Sequence, residues 1–474
     1  MLSVLLLSSS ILVTHAPGWS APMITTDLWN YGFQYKTIEV IDSLIHQSWN
    51  NFNQGNRVGY KVYLPDGTVI FPETMISGDV WSSYVNSTIA NSDSVVITWR
   101  EGSPAYYTVR ESDGSEAVPT SLYIPDPWMN QPGVYSSGDS LGRIHSTFVI
   151  SDAGTQRVCY RVFEPGVGEV WRDTIPRSNS MPRILVDGTR VHIVFRGEDL
   201  WPDYIQYDLE GNVTVPTVSL AEDLIQFISG YTLALDNDRN LYTLLELARS
   251  WTYLSLFKID GETGDILIDD KEIWDPIYSC GDPIILPGST DDMMYLLWRE
   301  SEQDYMRHVK FAIIDTNGDF IEAPYSAYDY TDERIQHIQV LKATVNEDRD
   351  IFAIWNQGDV GVGGYWIVMG WFDHNWVGVS EDEEEQNSST SFDLVPSLNP
   401  FYGSVVITAG SDPLPGQLLV YAMSGRLLRT LYQNGEGSFL WDGCDAEGND
   451  LPSGSYIIQG ASAYSRASTV LVKL

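Results

Sequence analysis

The sequence predicts an all-β protein: a β-propeller of about seven four-stranded blades, followed by a small β-sandwich. Three observations carry that prediction. One strand pattern recurs roughly every fifty residues, a tight-turn signal follows each recurrence, and the 474-residue chain holds 16 Trp and 27 Tyr. Large flat rings fill the space between packed sheets. A chain of this length is expected to divide into two or three domains, each with enough apolar material for a core.

The first element is the apolar run 2–13 of MLSVLLLSSSILVTHAPGWSA. It has the length of a signal-peptide core and is too short to span a bilayer. Residues 1–21 are therefore read as an export signal, with cleavage after Ala16 or Ala21, although no Lys or Arg precedes the run. The alternative is an N-terminal core strand. No later stretch is long and apolar enough for a membrane helix, so no integral span is expected after signal cleavage.

Residues 22–378 form the repeat region. The recurring strand reads SLIHQSW, SVVITW, RIHSTF, RVHIVF, NLYTLL, MYLLW and DIFAIW, and ends on Trp49, Trp99, Phe148, Phe195, Leu245, Trp298 and Trp355. These anchors are 50, 49, 47, 50, 53 and 57 residues apart. Turn pairs follow: Asp66-Gly67, Asp113-Gly114, Pro165-Gly166, Glu210-Gly211, Asp260-Gly261, Asn317-Gly318 and His374-Asn375. Asp-Gly and Asn-Gly favour hairpins because glycine accepts positive φ. Further strands flank each turn, and the outer one often carries Pro a few residues in, as in GTVIFP and GNVTVP. Four short antiparallel strands per fifty residues make a propeller blade. One such sheet cannot bury both faces alone; radial packing buries both, with the anchors filling the wedges. Six or eight blades are the alternatives to seven, and the segment 22–42 is a candidate to close the ring.

Residues 379–391, VSEDEEEQNSSTS, read as an acidic, Ser-rich linker. Beyond it, 392–474 shows short alternating strands with a Ser424-Gly425 hairpin, the pattern of a small sandwich.

Several motifs here occur in a recognisable order. Asn399-Pro400-Phe401 opens the module; Val420-Tyr421 and Ser424-Gly425-Arg426-Leu427 follow; Trp441-Asp442-Gly443, Asp445, Gly448 and Leu451-Pro452-Ser453-Gly454-Ser455-Tyr456 complete it. This series resembles the FlgD-type immunoglobulin-like (Ig-like) fold of the C-terminal sorting domains of type IX secretion substrates. It departs in having Ser455 where Val is usual, and Cys444 inside the turn. The resemblance implies an address: passage through the periplasm, recognition by the outer-membrane secretion machinery, and an extracellular or outer-membrane surface location. Trp441 is expected to be a core anchor and the glycine pairs to form turns.

Charge narrows the function. A net charge of −37 argues against nucleic acid, whose phosphates need Lys and Arg. Three distant cysteines, Cys159, Cys280 and Cys444, form no C-x-x-C pair, and no cofactor motif is present. His46, His145 and His192 share a repeat position that elsewhere holds Val96, Tyr242, Tyr295 and Phe352, so they read as packing residues and no metal is expected. Arg100, Arg196 and Arg299 stand just after three anchors, with Glu101, Glu198 and Glu300 nearby. Three arginines from three blades could clamp a carboxylate or sulfate; local Arg–Glu pairing is the simpler reading. Trp201 and Trp251 lie in equivalent loops and could stack on sugar, while Trp81, Trp128 and Trp274 lie between blades. The expectation is an exported propeller that binds a glycan or a protein. The alternatives are a secreted glycoside or peptide hydrolase using the same face, and a structural envelope component.

Overall fold

The computed structural model describes residues 13–16, 18–20, 22–28, 35–51, 57–78, 82–91, 93–102, 104–124, 129–152, 155–176, 178–220, 227–248, 252–274, 279–302, 305–330, 335–359, 364–373, 394–397, 401–409, 417–422, 427–433, 438–446, 448–452, 454–461 and 466–473. Every regular element among them is a β-strand. The chain divides into two compact units, 1–377 and 378–474.

The first unit is a seven-bladed propeller. The blades span 36–75, 82–124, 129–174, 178–219, 227–274, 280–330 and 335–372, and each is an antiparallel meander. The first strand of every blade lies beside the first strand of the next, and that of the seventh lies beside that of the first. The first strands therefore line the centre of a closed ring. Blade 7 contributes only three strands of its own; its fourth is Met23–Leu28, paired with Gly364–Phe372. The N-terminal segment thus closes the ring, as its position in the sequence suggested. Blade 6 gains a fifth strand, Val13–His15, along Phe320–Tyr330. Trp19 follows, buried against Phe311, Tyr328 and Phe372 with ring centroids 5.3–5.4 Å apart.

The recurring sequence strand is the second strand of each blade. All seven anchors are at most 1% exposed and sit in the wedges between sheets. The turns follow the glycines: Gly67, Gly114, Gly166, Gly211 and Gly318 all have φ between 76° and 90°. Blade 5 differs from expectation. Its left-handed residue is Gly264 (φ 78°), because Asp260 accepts from the amides of Glu262 and Thr263 and lengthens the turn beyond Asp260-Gly261. His374-Asn375 and the linker 379–391 lie outside the described residues.

The second unit is the expected two-sheet sandwich, three strands against four. Phe401, Val405, Ile407, Leu418, Val420, Phe439, Trp441, Tyr456 and Ile458 share one core. Trp441 is fully buried, its Nε1–H donating to Cys444 O (3.1 Å), and Tyr456 meets it edge-on. Gly443 and Gly448 take positive φ. Ser424-Gly425 lies outside the described residues.

Candidate functional site

The centre of the ring, on the face where the first strands begin and the second strands end, is called the funnel. Antiparallel pairing places these on one face: Lys36 is opposite Trp49, Ser83 opposite Arg100, Ser180 opposite Arg196, and Gly281 opposite Arg299. In blades 2 to 7 the first strand slips register, between Ser83 and Asn86, Asn130 and Tyr135, Ser180 and Arg183, Ile228 and Gly230, Gly281 and Ile284, and Gln339 and Lys342. Such bulges re-aim side chains. Tyr84 (φ 55°), Asp282 (φ 50°) and Val340 (φ 51°) occupy the left-handed region inside them. That backbone costs energy for any residue with a Cβ and most for a β-branched one, and such strain clusters at functional sites.

The side chains presented there are cationic and aromatic. The Arg183 guanidinium lies 3.8 Å from the Tyr135 ring centroid and 5.1 Å from that of Tyr231. Tyr35 packs on Tyr84 at 4.2 Å, and Arg100 sits over the Tyr84 ring. Lys36 is buried and donates to Asn356 Oδ1 (2.7 Å) and Gln339 O (3.3 Å). Burial holds its amine well below the usual lysine value; Asp282 raises it, while Lys342 and Arg299 press it lower. Lys342 is open to solvent but surrounded by protein. Its amine is lowered by desolvation and then by Arg183, with Asp282 opposing. Asp282 accepts from Arg299 Nε (2.7 Å) and Leu341 N–H (2.9 Å). Burial would raise its carboxyl, but Arg299, Lys342 and these donors hold it below the usual range.

The expected arginines occupy this face in different ways. Arg299 is tied to Asp282 and to Ile338 O of the next blade (2.7 Å). Arg196 lies close enough to Tyr231 of the next blade to influence its hydroxyl. Arg100 turns back to Gly102 O (2.9 Å). Two of the three neighbouring glutamates bind tryptophans: Glu101 accepts from Trp99 Nε1–H (2.9 Å) and Glu300 from Trp274. Trp201 is apart from the funnel. It lines a cavity of about 330 Å³ with Glu198, Asp199, Asp203, Thr217 and Ser219, reaching the outermost strand of blade 4. Trp251, Trp81 and Trp128 lie outside the described residues.

Lys36, Tyr84, Tyr135, Arg183, Asp282 and Lys342 were not singled out from sequence. One signal was available: Lys36, Tyr135 and Lys342 each stand 13 residues before their anchors, Trp49, Phe148 and Trp355.

The histidines are internal braces. His46, His145 and His192 are buried, and their Nδ1 atoms bond the hydroxyls of Tyr60, Tyr160 and Tyr204 at 2.7–2.9 Å. In blades 3 and 4 the Nε2 atoms meet Asp139 (3.1 Å) and Asp187 (3.3 Å). Among the described residues no group of three or more His, Cys, Asp or Glu is placed to hold a metal, and Cys159, Cys280 and Cys444 are free thiols. Near the other mouth of the ring, Glu39, Asn91, Ser137 and Asp139 line a cavity of about 360 Å³. Burial pushes the Glu39 carboxyl up to about 8.

No family model matches this chain, and no curated protein matches it. Solved structures do. Polysaccharide lyase Uly1 aligns with TM-score 0.44 and 10% identity over 71% of this chain and 89% of its own. A prolyl endopeptidase aligns with TM-score 0.42 and 11% identity over 83% of this chain, which spans 55% of that enzyme. The Hadza microbial sialidase Hz136 aligns with TM-score 0.41 and 12% identity, over 67% and 73%. Likeness at this level carries nothing about what the chain binds.

Proposed function

We propose that this chain is an exported, surface-displayed binding protein, with the propeller funnel as its recognition site and the C-terminal sandwich as its secretion address. The observation that carries the binding role is the row of first-strand bulges. They hold Tyr84, Tyr135, Arg183, Asp282 and Lys342 around one axis, in blades 2, 6 and 7 at the cost of left-handed backbone at Tyr84, Asp282 and Val340. The address rests on the ordered motifs from Asn399 to Tyr456. Cleavage after Ala21 would remove Trp19, which the fold buries; cleavage after Ala16 would keep it but remove the edge strand of blade 6.

A hydrolase would need two carboxylates in opposite protonation states facing one cavity. Glu39 and Asp139 meet that description in part. However, Asp139 is committed to a turn: its oxygens take the amides of Leu141 and Arg143, the Arg143 guanidinium and His145. That commitment favours the binding reading.

Glycan-array binding by the full chain tests the site. Loss of binding in Tyr135→Ala supports the funnel. Loss only in Trp201→Ala moves recognition to the side cavity, and silence removes a glycan as the ligand. Cell fractionation tests the address: a chain truncated before residue 392 should stay in the periplasm, and unchanged surface display would contradict the sorting role.

A further inference from the structure

The chain carries 64 acidic and 27 basic residues. A surface patch drawn at random from such a composition is acidic. The funnel gathers cations from several blades despite that excess. Lys36 of blade 1, Arg299 of blade 6 and Lys342 of blade 7 lie within electrostatic range of one another, Arg183 of blade 4 lies within range of Lys342, and the carboxylates Asp282 and Glu246 stand among them, Glu246 bordering Gly281 together with the Arg299 guanidinium. Asp282 is held by Arg299. Lys36 is satisfied by a carbonyl and an amide oxygen, and Arg183 by Pro182 O and two ring faces; these partners are neutral. Burial depresses the amines of Lys36 and Lys342 first and the neighbouring cations press them further, so a bound anion would favour their charged forms as well as form new contacts. The planes of Tyr35, Tyr84 and Tyr135 supply apolar faces of the size of a sugar ring, and Tyr35 is 42% exposed.

We infer that the funnel binds an anionic polysaccharide, with Arg183 and Lys342 contacting a carboxylate or sulfate and Tyr84 and Tyr135 contacting the sugar rings. This rests on the funnel being the recognition site. Arg183 is pre-oriented by its stack on Tyr135, which suits a forked contact to an oxyanion; Lys342 supplies a mobile point charge. The acidic exterior would repel a polyanion everywhere else, so affinity should be confined to the funnel mouth and fall with salt.

The test is titration of the full-length protein with polygalacturonate, dextran sulfate, neutral dextran and poly-glutamate, at low and physiological ionic strength. Binding of either acidic polysaccharide without binding of dextran is the expected result, and the preferred one identifies the anion. Lys342→Gln and Arg183→Gln should each weaken it roughly tenfold or more. Lys271→Gln, which removes a rim cation paired with Asp319, should not. Lys342 is solvent-facing, so its variant keeps the test informative if Arg183→Gln folds poorly. Equal or tighter binding of poly-glutamate would overturn the saccharide assignment in favour of an acidic polypeptide. Binding of neutral dextran that Tyr135→Ala abolishes would overturn the anion assignment and keep the funnel. Polyanion binding indifferent to both variants would overturn both.

Discussion

At the residue scale, the equivalent histidines differ in their partners. In blades 3 and 4 an aspartate of the hairpin between the first two strands faces the imidazole. Blade 1 makes that hairpin with the two-residue turn Asp42-Ser43, both left-handed (φ 50° and 75°), and His46 Nε2 has no hydrogen-bonded carboxylate there, Asp113 acting on it only through space. Burial therefore drives its pKa down to about 4. A base depressed when folded loses its contribution as pH falls from the unfolded value toward the folded one. Denaturant unfolding should show the propeller losing on the order of 3 kcal/mol between pH 6.5 and 4 from this residue. His46→Phe, the residue blade 7 uses, should flatten that slope; an unchanged slope would place the acid sensitivity elsewhere. Glu39 acts with the opposite sign. Its carboxyl is raised to about 8, so stability present below pH 4.5 drains away as pH rises to 8. Glu39→Gln should melt higher than the parent at pH 8 and match it at pH 4.5 in a thermal scan.

At the element scale, the second strands were legible and the first strands were not. A large residue ending an apolar run, Trp or Phe in six blades and Leu245 in the other, marks a strand buried on both faces. A bulge adds a residue without adding a type, so it leaves the spacing near fifty and erases only the alternation. The left-handed bulge residues are Tyr84, Asp282 and Val340, none of them the Gly that would have flagged positive φ. The funnel cations come from separate blades, and no local pattern joins them. The same limit applied to the histidines: their repetition was visible, their Tyr and Asp partners were not. Replacing Val340 by Gly removes the Cβ clash at its φ of 51° and should stabilise the propeller by about 1 kcal/mol, while loosening Lys342 and weakening ligand binding. Loss of stability would show that the bulge is unstrained. The outer strands carry their own device. Pro72, Pro119 and Pro216 are exposed and fall where the outer strand slips register. Proline is tolerated there, and it blocks pairing with another chain.

At the scale of the molecule, the seventh blade depends on both ends of the propeller sequence. Met23–Leu28 ties the ring shut, and Thr25 Oγ1–H reinforces the tie by donating to Ile367 O (3.1 Å). Deleting the residues before Tyr35 should lower the melting temperature of the whole propeller in a single transition; loss confined to local exchange in blade 7 would mean that closure contributes little. The seven-blade count and the sandwich could be read from anchors and turns because both are written in local chemistry. The funnel is a property of the closed ring, and exists only once blades 1 and 7 meet. The most direct measurement is therefore a deuterium-exchange footprint of the full chain with and without a saturating saccharide found on the array. Protection centred on 129–138, 178–186 and 335–345 is the expected result. Protection confined to 197–203, around Trp201, would contradict a recognition site at the ring's centre.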